Sequence, residues 1–113
     1  GTPAFAAPEQ LLGEVQGPAA DYFALAAIVV YALTGAPPFG DDDAKSILAR
    51  QLGERAKLGS LPAPICTWLQ TALAPDPADR FDDGVAMKEA WGTAAEKAMA
   101  RERGGWWRRV VGP

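Results

Sequence analysis

Asp21-Tyr22-Phe23-Ala24-Leu25-Ala26-Ala27-Ile28-Val29-Val30-Tyr31-Ala32-Leu33-Thr34-Gly35 is the stretch on which the fold turns. Between Tyr22 and Leu33 it carries no charge. Such a run exceeds the usual length of a strand and falls well short of the roughly 20 residues that cross a bilayer, so it predicts a helix buried on all sides. Asp21 is positioned as its N-cap, Gly35 as its C-terminal stop, and Pro37 and Pro38 keep the chain from continuing.

Working outward, three amphipathic helices follow. Asp41, Asp42 and Asp43 open the first, with Ala44, Ile47, Leu48 and Leu52 on one face and Gly53 at its end. Adjacent carboxylates at a helix start cap free amides and suit the macrodipole, and that reading outweighs a cation site. After a turn over residues 59–64, Ile65, Trp68, Leu69, Ala72 and Leu73 repeat at three and four until Pro75 and Pro77. The last helix begins near Asp83 and turns Met87, Ala90, Trp91, Ala94 and Ala98 inward. Toward the N-terminus, Pro3, Pro8, Gly13, Gly17 and Pro18 predict a loop over residues 1–20, with one helical turn over residues 8–12 that starts on its proline. A loop that stays ordered beside a buried helix is a common carrier of function.

Composition bounds the rest. The chain has 113 residues, 49% of them hydrophobic and 22% charged, enough for a single domain with an ordinary core. Its net charge of −3 argues against nucleic acid as a partner. The charge is uneven: residues 101–113 sum to +3, so residues 1–100 carry −6. Cys66 is the only cysteine, which excludes an internal disulfide and fits a reducing compartment; with Met87 it reads as a packing residue. The absence of histidine removes the serine–histidine triad, the imidazole general base and histidine-ligated metals.

One constellation goes further. Gly1-Thr2-Pro3-Ala4-Phe5-Ala6-Ala7-Pro8-Glu9-Gln10 resembles the end of a protein-kinase activation segment, where Gly-Thr-Pro leads into Ala-Pro-Glu. After it come the capped apolar helix ending in Leu33-Thr34-Gly35, then Ala36-Pro37-Pro38-Phe39, two amphipathic helices and Pro75-Asp76-Pro77-Ala78-Asp79-Arg80-Phe81. In order and spacing, residues 1–91 are similar to the helical large lobe of serine/threonine kinases, above all the bacterial eukaryotic-like (Hanks-type) group. The resemblance implies a mainly α fold, a partial large lobe without the N-lobe or the catalytic loop. Residues 1–99 would form that lobe, and residues 100–113 a basic, aromatic tail.

The resemblance also implies roles. Thr2 would hydrogen-bond near the catalytic aspartate and mark serine/threonine specificity. Pro3, Ala4, Phe5 and Ala6 would receive the substrate residue that follows the phosphorylated one. Glu9 would pair with Arg80, a bidentate clamp of loop onto body that lysine would not reproduce. Asp21 would hold the backbone of the catalytic loop. Phe5 stands where the family usually has tyrosine and Ala6 where a larger side chain is common, which implies a shallower substrate pocket. Ala24 and Ala26 replace the usual serine and glycine around Leu25, swaps that suit a buried helix.

Phosphoryl transfer by a kinase requires a glycine-rich loop, a lysine–glutamate pair, a catalytic aspartate, and an asparagine and second aspartate for magnesium. None of that set is present: there is no Gly-x-Gly-x-x-Gly and no His-Arg-Asp, and Phe39-Gly40 follows Pro38 rather than aspartate. The expectation is therefore an incomplete kinase, inactive alone, whose complete form uses ATP and Mg2+ on serine or threonine of protein substrates in the cytoplasm. A pseudokinase, a free-standing helical binding module or an unrelated helical domain are the alternatives left open. Trp106 and Trp107 among arginines, over residues 104–111, suit a cytoplasmic membrane interface and imply a juxtamembrane segment that anchors the full-length protein, against a plain frayed terminus packed on the body.

Overall fold

The computed structural model describes residues 3–102. Among these residues five α-helices follow one another, α1 (Pro8–Leu11), α2 (Pro18–Thr34), α3 (Ala44–Gly53), α4 (Ala63–Ala72) and α5 (Gly84–Glu102), with 3-10 turns at Pro3–Phe5 and Pro77–Asp79. No strand occurs among the described residues. Proline sits in the first turn of α1, α2 and α4, where its fixed φ suits the helix and its missing N–H costs nothing.

The apolar run is a helix, with two corrections. α2 starts three residues before Asp21, at Pro18 with Gly17 as its cap, so Asp21 lies exposed in the first turn and caps nothing. Nor is the helix buried on every side. Phe23, Ala26, Ala27 and Val30 are fully enclosed, whereas Leu25, Ile28 and Tyr31 are about half exposed at 51%, 50% and 50%. The helix ends at Gly35, whose φ of 84° places it in the left-handed region open to glycine at no Cβ cost, and whose N–H donates to the Tyr31 carbonyl.

α3 begins as its carboxylates predict: the Asp43 side chain accepts from the Ser46 N–H at 2.9 Å. Asp42 instead takes both arms of Arg50, at 2.6 and 2.8 Å, and Arg50 also donates to the Phe39 carbonyl. The Arg50 hydrogen bonds hold the Asp42 carboxyl below the usual aspartate range. Gly40, at φ 89°, lies under this bridge, and a Cβ there would stand 2.7 Å from Arg50 Nη1. The inward face of α3 differs from the sequence expectation. Ile47 and Gln51 are buried, while Ala44 and Leu52 face solvent, Leu52 at 58%. An i to i+4 step from Ile47 lands on Gln51, whereas Leu52 falls some 100° further round the helix.

α4 and α5 pack against each other through Trp68. Its indole N–H donates to the Met87 carbonyl at 3.0 Å, its ring meets Trp91 edge-on with centroids 4.8 Å apart, and Phe81 closes a third side at 5.8 Å. Buried tryptophans usually find such a partner for the N–H. Ala94 and Ala98 continue the seam as buried small residues. α5 runs to Glu102. Cys66 is half-buried on α4, and burial pushes its thiol pKa up, which suits packing rather than reactivity. Among the described residues no helix is long and apolar enough to cross a membrane. The tail, residues 103–113, lies outside the described residues.

Candidate functional site

The 3-10 turn and α1 bring the N-terminal loop onto α2 and α3. Ala4, Ala7 and Pro8 are buried, and the edge of Phe5 meets the Tyr31 ring with centroids 5.8 Å apart. The Ala7 N–H donates to Gln10 Oε1 at 2.8 Å, which closes the first turn of α1. On the far side, Gln51 Nε2 donates to the Ala6 carbonyl at 2.8 Å. Pro3, Phe5 and Ala6, with Leu11 and Ala24, line an open groove of about 530 Å3 to which, among the described residues, Gln10 adds the only polar side chain.

Glu9 and Arg80, 71 positions apart, meet inside the protein. Glu9 is 6% exposed and Arg80 4%. Arg80 Nη1 donates to Glu9 Oε2 at 2.7 Å and Nη2 to Oε1 at 2.9 Å, a planar two-point contact that only guanidinium makes with carboxylate. The remaining donors go to backbone: Nη1 to the Ala19 carbonyl at 2.9 Å, Nη2 to Pro75 at 3.2 Å and Nε to Ala74 at 2.8 Å. Each N–H of the guanidinium is thus used, and its carbon stands 5.0 Å above the Phe23 ring. One side chain therefore joins α1, the first turn of α2 and the segment after α4. Burial by itself would raise the Glu9 pKa, but the hydrogen bonds and charge of Arg80, with a backbone hydrogen bond, overcome it and hold the carboxyl below its ordinary value.

The other sequence candidates are placed as follows. Pro3, Ala4, Phe5 and Ala6 lie together beside the groove. Asp21 sits exposed at the start of α2, with no side-chain hydrogen bond among the described residues. Thr2 lies outside the described residues. Four contributors went unread in the sequence. The carbonyls of Ala19, Ala74 and Pro75 carry no side-chain signal at all. Gln51 did carry one, its i+4 spacing from Ile47. No group of three or more histidine, cysteine, aspartate or glutamate side chains converges among the described residues.

A helical body in this order, with a loop clamped to it by a buried carboxylate–guanidinium pair ahead of the last helix, is the large lobe of the protein-kinase fold. The chain belongs to the serine/threonine protein kinase family. It is 35% identical over 81 residues to the serine/threonine-protein kinase PkaA of Streptomyces coelicolor, covering 71% of this chain and 15% of that protein. It is 35% identical over 96 residues to the serine/threonine-protein kinase PknF of Mycobacterium tuberculosis, covering 81% and 20%. It is also 42% identical over 62 residues to the probable serine/threonine-protein kinase PkwA of Thermomonospora curvata, covering 55% and 8%. The chain thus spans between 8% and 20% of the length of these relatives. No family model matches it.

Proposed function

We propose that this chain is the substrate-facing part of the large lobe of a bacterial serine/threonine kinase, one that transfers the γ-phosphate of ATP to serine or threonine of protein substrates. The observation that carries the reading is the clamped loop. Pro3, Phe5 and Ala6 form one wall of an apolar groove, and three residues beyond Ala6, Glu9 fixes that wall to the body through Arg80. A wall held in this way keeps its shape when substrate arrives, which is what positioning requires. The 113 residues supply no nucleotide loop, catalytic aspartate or magnesium ligand, so ATP and Mg2+ would be held by other parts of the complete protein and these residues alone would be inactive. Asp21, exposed on the first turn of α2 with no side-chain hydrogen bond among the described residues, would accept from the backbone of a catalytic loop, and Thr2 would hydrogen-bond near the catalytic aspartate.

The lining selects the substrate. With Pro3, Phe5, Ala6, Leu11 and Ala24 around it, the groove suits an apolar residue just after the phosphorylated serine or threonine and penalises a carboxylate there. Burying or failing to bury one such side chain is worth about 1–3 kcal/mol. The complete kinase, given peptide pairs that differ only at that position, is expected to show kcat/KM about tenfold or more higher for leucine or valine than for aspartate. Equal values would remove the substrate-loop role, and absence of phosphate transfer to any peptide would remove the kinase activity and leave a binding scaffold.

Residues 104–111 are read, on composition alone, as a juxtamembrane segment on the cytoplasmic side. Co-sedimentation of the full-length protein with anionic but not neutral vesicles supports this, and equal or absent binding to both removes it.

A further inference from the structure

Gln51 is a polar side chain at the heart of an apolar interface. It is 2% exposed, among the largest fully buried side chains, and it shares the inward face of α3 with Ile47. Its amide is half used: Nε2 donates to the Ala6 carbonyl at 2.8 Å, while Oε1 has no hydrogen-bond partner. A buried acceptor left unpaired is unfavourable, and native interiors hold few of them. Methionine or leucine has nearly the same volume and would fill the site with no polar atom to satisfy. For stability of the core, then, glutamine is a poor choice at this position.

The bond that glutamine does make falls at a telling place. Ala6 is the last residue of the groove wall and precedes Ala7, whose N–H is already committed to Gln10. Glu9 and Arg80 fix the chain on one side of the wall, at α1, and the Gln51 amide fixes the wall itself, from α3. Without Gln51 the Ala6 carbonyl has no other side-chain donor among the described residues.

We infer that Gln51 is a positioning residue for the phosphoacceptor substrate: by donating to the Ala6 carbonyl it sets the groove wall at the depth and angle that receive the residue following the phosphorylated one, at the expense of core stability. The inference rests on the substrate-loop reading above. Because the contact Gln51 makes is with the groove wall, its effect is expected on the peptide side of the reaction.

The complete parent protein with Gln51→Met tests it. The variant should melt at the same temperature as the wild type or higher, and its KM for a peptide with an apolar residue after the acceptor should rise about fivefold or more. KM for ATP and the slow hydrolysis of ATP by water should stay within a factor of two. Amide hydrogen exchange over residues 4–7 supplies a readout independent of catalysis. There Gln51→Met should exchange about tenfold faster than the wild type, with α5 unchanged. A peptide KM within twofold of the wild type in an active enzyme overturns the inference. So does a lower melting temperature with peptide and ATP constants moving together, which marks a purely structural residue. If the wild type transfers no phosphate, the substrate-loop reading fails on its own, and unchanged exchange over residues 4–7 would then overturn the positioning of the wall as well.

Discussion

Arg80 shows how much of a fold one side chain can organise. Its guanidinium serves a carboxylate and three backbone carbonyls from two further segments while covering an aromatic ring. Lysine keeps the charge but offers a compact ammonium instead of a planar fork, so Arg80→Lys gives up the two-point geometry and leaves carbonyls unpaired. The pair also has a signature in pH. Because Glu9 has a lowered carboxyl pKa when folded, its contribution is complete above the ordinary glutamate value of about 4.3 and is lost as pH falls through the lower folded value. In chemical denaturation of the complete protein, the stability gap between wild type and Glu9→Gln is expected to be widest from neutral pH down to the ordinary glutamate value and to narrow as the pH falls further, through the lower folded value. A gap constant from pH 7 to pH 3 would show that ionisation of Glu9 contributes nothing. The sequence made this pair legible only through the Ala-Pro-Glu resemblance, since two charges so far apart in the chain otherwise read as separate surface groups. Gln51 was legible in principle from its spacing, but the hydrophobicity of Leu52 drew the helix face one position too far.

At the scale of elements, helices were read correctly wherever periodicity and punctuation agreed, as in α4 and α5. Boundaries moved where two signals competed. Asp21 is a good capping residue, yet Pro18 is an equally good first helical residue, and the exposed Gly17–Pro18 start lets α2 gain its first turn. The α4–α5 seam relies on Trp68, which combines a large apolar area with one hydrogen bond to the Met87 carbonyl. Trp68→Phe keeps most of the ring but removes that hydrogen bond and shrinks the contact with Trp91. It is expected to destabilise the complete protein by about 1–3 kcal/mol in denaturant unfolding. A change below about 0.5 kcal/mol would mean that the seam is set by the alanines instead.

At the scale of the molecule, the decisive feature is what α2 leaves uncovered. The sequence predicts a helix surrounded on all sides, and the structure encloses only one of its faces, with Leu25, Ile28 and Tyr31 half open along the other. That stripe explains why the sequence overstated burial: an apolar run records the environment in which it evolved, and this chain spans a fifth or less of its relatives' length. The 113 residues produced alone are expected to self-associate in gel filtration, to bind an apolar dye and to melt over a broad range. A sharp cooperative melt of a monomer without dye binding would contradict this.

The clamp between loop and body is tested most directly by a double-mutant cycle in the complete protein. Glu9→Gln and Arg80→Met are made singly and together, and unfolding free energies are compared. Each single change should cost about 3–5 kcal/mol, because it strands a buried charge or its partner. The double variant should cost about 2 kcal/mol or more less than the two single losses combined. Additive losses, within about 0.5 kcal/mol, would mean that the two groups do not depend on each other and that the loop is held to the helices by something else.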